Sequence, residues 1–441
     1  MKQQNLLGAL GLYVTFIAVG ITGPSALADW KQWRGPTGQG HSEAALPIEW
    51  TETKNITWRT PLRGKGWSSP VIEGDQIWVT AAHEDEATEE ERSERLKANT
   101  GGQPVVVLSK VRLHAICIDK HSGRTIHDIE ILRKKAPQWA HKLNSYASPT
   151  PVIENGKLYC HFGAYGTACV DTQTAQVLWR NQELYVHHEN GPGSTPVIWK
   201  DKLIFHMDGS DDQYIVALDQ STGEVAWKTQ RSGEMHKNPQ IRKCYGTPLI
   251  LETERGHTLF STAADWLYGY DPDNGEELWK MNYGFTGFSI VPRPVAGHGL
   301  LYMSTSFMKP QLLAVRYNES QPQIAWSYKR SVPSQPSPVL VGHEIYFVSD
   351  SGGMVTCLDA LSGEAHWQER IGGNFSASPL HANGKIYFHS REGVTTVLKA
   401  GTSFEVLATN ELDGELMASA AVDKDALVLR TDKAIYRIEE R

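Results

Sequence analysis

The chain has 441 residues, of which 40% are hydrophobic and 21% charged, with 43 Lys and Arg against 50 Asp and Glu. The formal net charge of −7 lacks the basic excess with which nucleic-acid-binding proteins neutralise phosphates, so no nucleic-acid partner is expected. The length is sufficient for one large closed domain.

Residues 1–28 have the pattern of a secretory signal peptide. Lys2 precedes an apolar run from Leu6 to Ile21, and the Ala-Leu-Ala run at 26–28 supplies a small-x-small cleavage site. The first cysteine of the chain is Cys117, so none stands at the cleavage site for lipid attachment. We therefore expect residues 29–441 to form one soluble, exported propeller domain, periplasmic or extracellular and not a lipoprotein. An uncleaved anchor is the alternative.

One pattern recurs roughly every 40–50 residues through the rest of the chain. Each copy has a small residue before Pro, an aromatic-rich run, an apolar run ending in Asp, a Ser/Thr-Gly turn and a run ending in Trp. Four short strands per copy predict an all-β propeller of four-stranded antiparallel blades. The copies begin near Ser68, Pro149, Ser194, Gly246, Val291, Ser337, Ser378 and Ser419, which predicts eight blades.

The eighth copy ends early, and its missing strand is predicted to come from the N-terminus. No Gly turn and Trp strand follow Ile438, whereas Asn55–Arg59 is a Trp strand with no copy before it. Joining the two closes the ring and removes open sheet edges. The recurring Trp residues are expected to pack between neighbouring blades. They are Trp58, Trp179, Trp227, Trp279, Trp326 and Trp367.

A charged insertion at residues 83–110 interrupts blade 1. Its Glu- and Arg-rich part, 84–97, predicts either a short exposed helix or a disordered flap. The five cysteines are expected to be structural, because three of them share one small, buried slot of the repeat. A bridge between Cys160 and Cys169, which flank a predicted hairpin, is left open.

Loops before the first strands and loops between the second and third strands share one face of a propeller, which we call the upper face. Polar and aromatic residues concentrate there, mainly in blades 2 to 5. Planar side chains lose little entropy on contact, so this face is predicted to bind a protein or glycan partner. The candidate residues are Asn144, Tyr146, His187, His188, Glu189, Asn190, His236, Arg242, Asp265, Trp266, Arg293 and Lys309.

Two other interpretations of this cluster remain. Histidines and carboxylates can fill a wide central channel with hydrogen bonds. A metal is not expected, although His188, His206 and Asp208 are weak candidate ligands by residue type. The chain has no G-x-S-x-G, H-E-x-x-H or Gly-rich phosphate loop after a strand, so no catalytic residue is assigned.

The run Leu-Asp-x-x-x-Gly-Glu-x-x-Trp at 218–227 and 358–367 resembles the blade signature of the pyrroloquinoline-quinone-like (PQQ-like) propeller repeat family. The resemblance covers the chain after residue 28 and points to an exported bacterial branch without assigned activity. It implies two kinds of function. Quinoprotein alcohol and sugar dehydrogenases hold the quinone between a Trp and a disulfide of adjacent cysteines, beside Ca²⁺. The outer-membrane assembly lipoprotein is a scaffold without a cofactor.

We therefore expect an exported, cofactor-free scaffold that binds its partner through the upper face. PQQ and Ca²⁺ are disfavoured because the chain has no adjacent cysteines and mostly lacks the Trp-Gly docking motif. The alternative is an enzyme, either a PQQ-dependent alcohol or sugar dehydrogenase or a metal-assisted polysaccharide hydrolase or lyase.

Overall fold

The computed structural model describes residues 29–99, 102–254, 256–285, 287–318 and 321–441, so the predicted signal peptide lies outside the described residues. The predicted all-β propeller of eight blades is confirmed, because the described residues form seven four-stranded antiparallel sheets and one sheet of five strands. Within the described ranges, no helix combines the length and the apolar character needed to cross a membrane.

Each blade runs from an inner to an outer strand. Blades 1 to 4 comprise Val71–Glu73, Gln76–Glu86, Leu108–Asp119 and Thr125–Lys135; Val152–Glu154, Lys157–His161, Thr167–Asp171 and Val177–Asn181; Val197–Trp199, Lys202–Asp208, Gln213–Asp219 and Val225–Gln230; and Leu249–Thr253, Gly256–Ala263, Trp266–Tyr270 and Glu277–Asn282. Blades 5 to 8 comprise Val295–Gly297, Leu300–Ser304, Leu312–Arg316 and Gln323–Tyr328; Val339–Val341, Glu344–Val348, Met354–Asp359 and Ala365–Arg370; Leu380–Ala382, Lys385–His389, Val394–Lys399 and Val406–Glu411; and Ala421–Asp423, Ala426–Arg430, Ala434–Ile438 and Ile56–Pro61.

Ring closure by the N-terminal strand is confirmed. Ile56–Pro61 pairs antiparallel with Ala434–Ile438 and forms the outer strand of blade 8, one residue later than the predicted Asn55–Arg59 at its start. A further N-terminal strand was not predicted. His41–Ser42 adds in parallel to the innermost strand of blade 7, which becomes five-stranded.

Packing between blades explains the Asp, Gly and Trp of the repeat. Asp219 Oδ1 accepts hydrogen bonds from the backbone N–H groups of the following turn, and Gly223 has a φ of +76°. A Cβ on Gly223 would lie 2.4 Å from the ring of Trp179 in the preceding blade, so only glycine fits. Trp179 Nε1 donates to the carbonyl of Gln220 at 2.9 Å. The same Trp-on-Gly contact joins Trp58 to Gly123, Trp227 to Gly275 and Trp326 to Gly363.

The small residue before Pro builds a hydrogen-bonded belt around the channel. In each step, the backbone N–H of one blade donates to the side-chain hydroxyl of the next blade. Blade 5 departs from this pattern, because Arg293 occupies the position of the small hydroxyl residue. The steps run from Ser69 through Thr150 and Thr195 to Thr247, and from Arg293 through Ser337 and Ser378 to Ser419, at 2.9 to 3.1 Å.

Residues 29–50, which we call the N-terminal plug, cross the lower end of the channel. Trp33 Nε1 donates to Ser419 Oγ of blade 8 at 3.3 Å, and Arg34 Nη2 donates to the carbonyl of Pro338 in blade 6 at 2.7 Å. Arg293 Nη1 reaches back to the carbonyl of Gly38 at 3.2 Å. These bonds tie the plug to blades 5, 6 and 8.

The insertion of blade 1 contains the predicted helix rather than a flap. The helix Glu89–Leu96 begins at Thr88, whose side chain accepts from Glu91 N while the Glu91 carboxylate accepts from Thr88 N, a capping box. The ends of the predicted insertion belong to long strands that pair along their length, and Val105–Val106 pairs with Ala140–His141.

The five cysteines are free and buried. Cys160 pairs with Ala168, and Cys169 pairs with Tyr159, in neighbouring strands of blade 2. Cys160 packs in the core that includes blade 1, whereas Cys169 packs in the core that includes blade 3. The two thiols therefore point to opposite faces of the sheet, and the bridge left open by the sequence does not form.

Candidate functional site

A cavity of about 740 Å³ occupies the central channel and opens on the upper face. Trp33 of the N-terminal plug lies at its lower end, together with hydroxyl residues of the belt. Among the described residues, the lining contains no Asp or Glu, and Lys243 is its only Lys or Arg. Six amide side chains give the lining its polar character. They are Gln103, Asn144, Asn190, Asn238, Gln240 and Gln335.

Lys243 is neutralised by a buried partner. Its Nζ lies 2.9 Å from Glu189 Oε2 and 3.1 Å from Gln240 Oε1. Burial by itself would raise the pKa of Glu189, but the nearby His187 and the hydrogen bond from Lys243 lower it to about 2. Burial lowers the pKa of Lys243 against the effect of Glu189. We conclude that the pair is ionised at neutral pH and that the cavity carries little net charge.

This pair predicts a pH dependence of stability. The pKa of Glu189 falls from 4.5 to about 2 on folding, so its stabilising effect is complete above pH 4.5 and is lost as the pH falls through 2. We expect the free energy of unfolding in urea to drop more between pH 5 and pH 2.5 in the wild type than in Glu189→Gln. Equal drops in the two proteins would contradict the assignment.

Exposed apolar side chains border the cavity mouth. Leu143, Phe285, Phe307 and Met308, which we call the apolar rim, are 46–56% exposed and lie on upper-face loops of blades 2 and 5. Leu143 and Phe307 also line the cavity. Phe307 packs near Phe288, with ring centroids 6.2 Å apart. Apolar groups around a polar cavity are typical of a binding surface.

The predicted residues of blades 2 and 3 surround this cavity but differ in role. Asn144 and Asn190 line it, and Asn144 Nδ2 donates to the carbonyl of Asn190 at 2.8 Å. Tyr146 and His188 are buried behind it and hold loops: the Tyr146 hydroxyl donates to the carbonyl of Val106, and His188 Nε2 accepts from Ala164 N. His187 is half-buried, with its Nδ1 3.7 Å from Glu189.

The predicted residues of blade 4 form a group beside the rim and outside the cavity lining. Arg242 Nε donates to the carbonyl of His236 at 2.6 Å, and the ring of His236 stacks on Phe285 with centroids 4.9 Å apart. Trp266 Nε1 donates to the carbonyl of Glu234. Burial raises the pKa of Asp265 to about 6, while His236 lowers it in part.

The last two predicted residues lie apart from each other. Lys309 is exposed in the loop that carries Phe307 and Met308. Arg293 is buried in the belt beneath the cavity, where its Nε donates to the carbonyl of Pro248. From the repeat pattern, Arg293 is expected on the upper face because it follows the loop before blade 5. The side chain turns down toward the N-terminal plug instead.

The weak metal candidates do not form one group. His206 and Asp208 lie with Cys244, and one ligand atom of each is within 4.8 Å of the others, but His188 lies elsewhere. Both oxygens of Asp208 accept from Arg231, at 3.0 and 2.8 Å, and the His206 ring nitrogen Nε2 lies 2.8 Å from Ser261 Oγ. The guanidinium of Arg231 therefore already binds the Asp208 carboxylate that a metal ion would need as a ligand.

Several residues of the cavity were not among the candidates from the sequence. Trp33 lies in the N-terminal segment, and Trp67 directly precedes the first repeat at Ser68. Gln103 belongs to the insertion, so none of the three could be recognised from its position in the repeat. In the loop before blade 4, Gln240 lies within the short 3₁₀ helix Pro239–Ile241, and Lys243 follows that helix. Their neighbour Arg242 was selected by its charge and planarity, but it points away to the backbone of its own loop.

The model of a protein family described as outer membrane protein assembly factor BamB matches residues 73–229 and 192–441. A protein of that name from Shewanella oneidensis is 21% identical over 311 residues, covering 64% of this chain and 72% of the relative.

Two solved structures share the fold. BamB from Moraxella catarrhalis superposes with a TM-score of 0.53 at 15% identity, covering 76% of this chain and all of that one. A europium-containing methanol dehydrogenase superposes with a TM-score of 0.64 at 11% identity, covering 92% of this chain and 90% of that one. At these identities the superpositions show the propeller fold and do not choose between a scaffold and an enzyme.

Proposed function

This chain belongs to the BamB family of PQQ-like β-propellers, and from that premise we propose that it is a scaffold that holds a partner protein on its upper face. The observation that carries the proposal is the apolar rim at the mouth of a nearly uncharged cavity. Aromatic side chains exposed beside a pocket are the usual anchors of protein interfaces. The name of the Shewanella relative, an assembly factor, agrees with a role in holding other proteins.

The cavity lining indicates what part of a partner it would accept. Amide side chains of the lining such as Gln103 and Gln335 carry donors and acceptors of the kind that pair with the N–H and C=O groups of an extended peptide segment, whereas Asn144 already donates to the carbonyls of Asn190 and Pro192. No carboxylate of the described lining would attract a basic segment, and Lys243 is paired with Glu189. We therefore propose that an uncharged segment of the partner enters the cavity while its flanking apolar residues contact the rim. We further propose that this occurs after export, as the pattern of residues 1–28 predicts.

A quinone cofactor does not suit these residues. PQQ carries three carboxylates, yet among the described residues the lining offers one cation, Lys243, which Glu189 already pairs. The chain has no adjacent cysteines, and no carboxylate of the described lining is available for Ca²⁺. These features support the scaffold over the dehydrogenase.

We expect Phe285→Ala and Phe307→Ala together to weaken partner binding by at least about tenfold, since buried aromatic anchors contribute about 2 kcal/mol or more each. A photo-reactive amino acid at Met308 would first trap the partner in cells, and mass spectrometry would identify it. Binding of the purified pair would then be measured by calorimetry.

Leu361 provides the matched control. It is 51% exposed and apolar, but it lies in a turn between the third and fourth strands of blade 6, on the opposite face. Cross-links from position 361 rather than 308, or unchanged affinity in the double variant, would contradict the proposal. Binding of a glycan in place of a protein would favour the other partner class predicted from the sequence.

A further inference from the structure

Blade 1 carries a cluster of His83, His114 and Asp128 on its second, third and fourth strands. His83 is two residues from Ala81 in its strand, and His114 is two residues from Ile116. Residues two apart in a strand point to the same face of the sheet, so each pair shares a face. Ala81 and Ile116 belong to the core that blade 1 shares with blade 8. The cluster therefore lies on the side of blade 1 that faces the last blade, where the ring closes.

The three side chains converge. One ligand atom of each lies within 4.8 Å of those of the other two. The imidazole rings of His83 and His114 have their centroids 4.3 Å apart. Asp128 Oδ1 lies 2.7 Å from His114 Nδ1, and Asp128 is partly exposed, so the cluster is reachable from solvent.

Two nitrogens of the cluster lack partners. The Nε2 atoms of His83 and His114 are buried and have no hydrogen-bond partner within the described structure. The carboxylate of Asp128 accepts the Nδ1–H of His114, and this tautomer leaves the lone pair of His114 Nε2 free. A buried polar atom without a partner is destabilising, so a ligand shared by the two rings would satisfy both nitrogens.

We propose that His83 and His114 bind one Zn²⁺ ion through these nitrogens, with Asp128 orienting His114 and balancing the charge of the ion. Imidazole nitrogen is a preferred ligand of Zn²⁺, whereas Ca²⁺ and Mg²⁺ prefer oxygen. Arg112 lies opposite His83 in the neighbouring strand, and its Nη2 is paired with Asp85 at 3.2 Å. The ion links two neighbouring strands of blade 1 and, through Asp128, the outer strand as well, so it stabilises the blade at the seam of the ring.

The test uses the untagged full chain after removal of metals with EDTA. Titration with ZnCl₂ in a calorimeter is expected to show one equivalent that His83→Ala or His114→Ala abolishes. Asp128→Asn is expected to weaken this binding by about 10–100-fold, the usual effect of losing the group that orients a ligand. Saturating Zn²⁺ is expected to raise the melting temperature of the wild type and to leave that of the His83→Ala variant unchanged.

Matched variants keep the result interpretable. His121 lies 3.0 Å from Asp75 on the same blade, a His–carboxylate pair outside the cluster, so His121→Ala is expected to retain full binding. If His83→Ala does not fold, His83→Gln and the cobalt absorption spectrum of the wild type replace it. The proposal fails if the wild type takes up no Zn²⁺ or the cluster variants keep the equivalent. It fails equally if Cys244→Ser abolishes binding, since the ion then belongs to the His206, Asp208 and Cys244 group.

Discussion

A chain that begins at Leu62 is expected to lose its cooperative fold. It lacks the outer strand of blade 8, so the edge of Ala434–Ile438 is left without its partner. It also lacks Trp58, whose ring fills the space above Gly123 of blade 1 and whose Nε1 donates to the carbonyl of Lys120 at 2.8 Å. The loss removes this Trp-on-Gly contact across the seam between the last and first blades.

The measurement is thermal unfolding followed by circular dichroism, with gel filtration to detect aggregates. A chain from Asp29 is the reference. A chain from Lys54 lacks the N-terminal plug but keeps the closing strand, and we expect it to fold with reduced stability. If the chain from Leu62 unfolds at the same temperature as the chain from Asp29, the closing strand does not hold the ring together.

Replacing Arg231 by Met is expected to destabilise the protein by about 3–5 kcal/mol, the usual cost of leaving one member of a buried ion pair alone. Arg231 and Asp208 are 0% exposed and joined by two hydrogen bonds. Arg231 also donates to Ser261 Oγ and lies over the ring of Tyr268, 5.0 Å from its centroid. The variant therefore leaves Asp208 charged or forces it to bind a proton.

Urea unfolding measures the loss in the free energy of unfolding. An exposed ion pair serves as the comparison. Lys200 and Asp273 lie 2.8 Å apart at the surface, so Lys200→Ala is expected to change the free energy of unfolding by less than about 1 kcal/mol. Adding Asp208→Leu to Arg231→Met is expected to recover much of the stability, because no unpaired charge then remains. A single variant as stable as the wild type would show that the pair is not stabilising.

The candidate site was only partly predictable. The repeat register pointed to the loops that hold Asn144 and Asn190, which line the cavity, and Glu189, which is paired with the lining residue Lys243. Residue type misplaced Arg293, because a charged residue in a loop-like position was expected to face solvent. In the structure its guanidinium donates to backbone carbonyls of the plug and of blade 4, which satisfy it inside the protein.

The sequence alone determined the number of blades, their strand order and the closure of the ring. Within the described residues, four blades make the same Trp-on-Gly contact with the next blade, as Trp179 does with Gly223, so a nearest-neighbour pattern along the chain is enough to specify it. Only the tertiary structure decided where the channel ends, what lines it and which histidines meet. Those contacts involve residues outside the repeats, such as Trp33, which donates to Ser419, 386 residues away. A repeating sequence pattern cannot predict these contacts, because they depend on the width of the closed ring and on the direction in which each side chain leaves its strand.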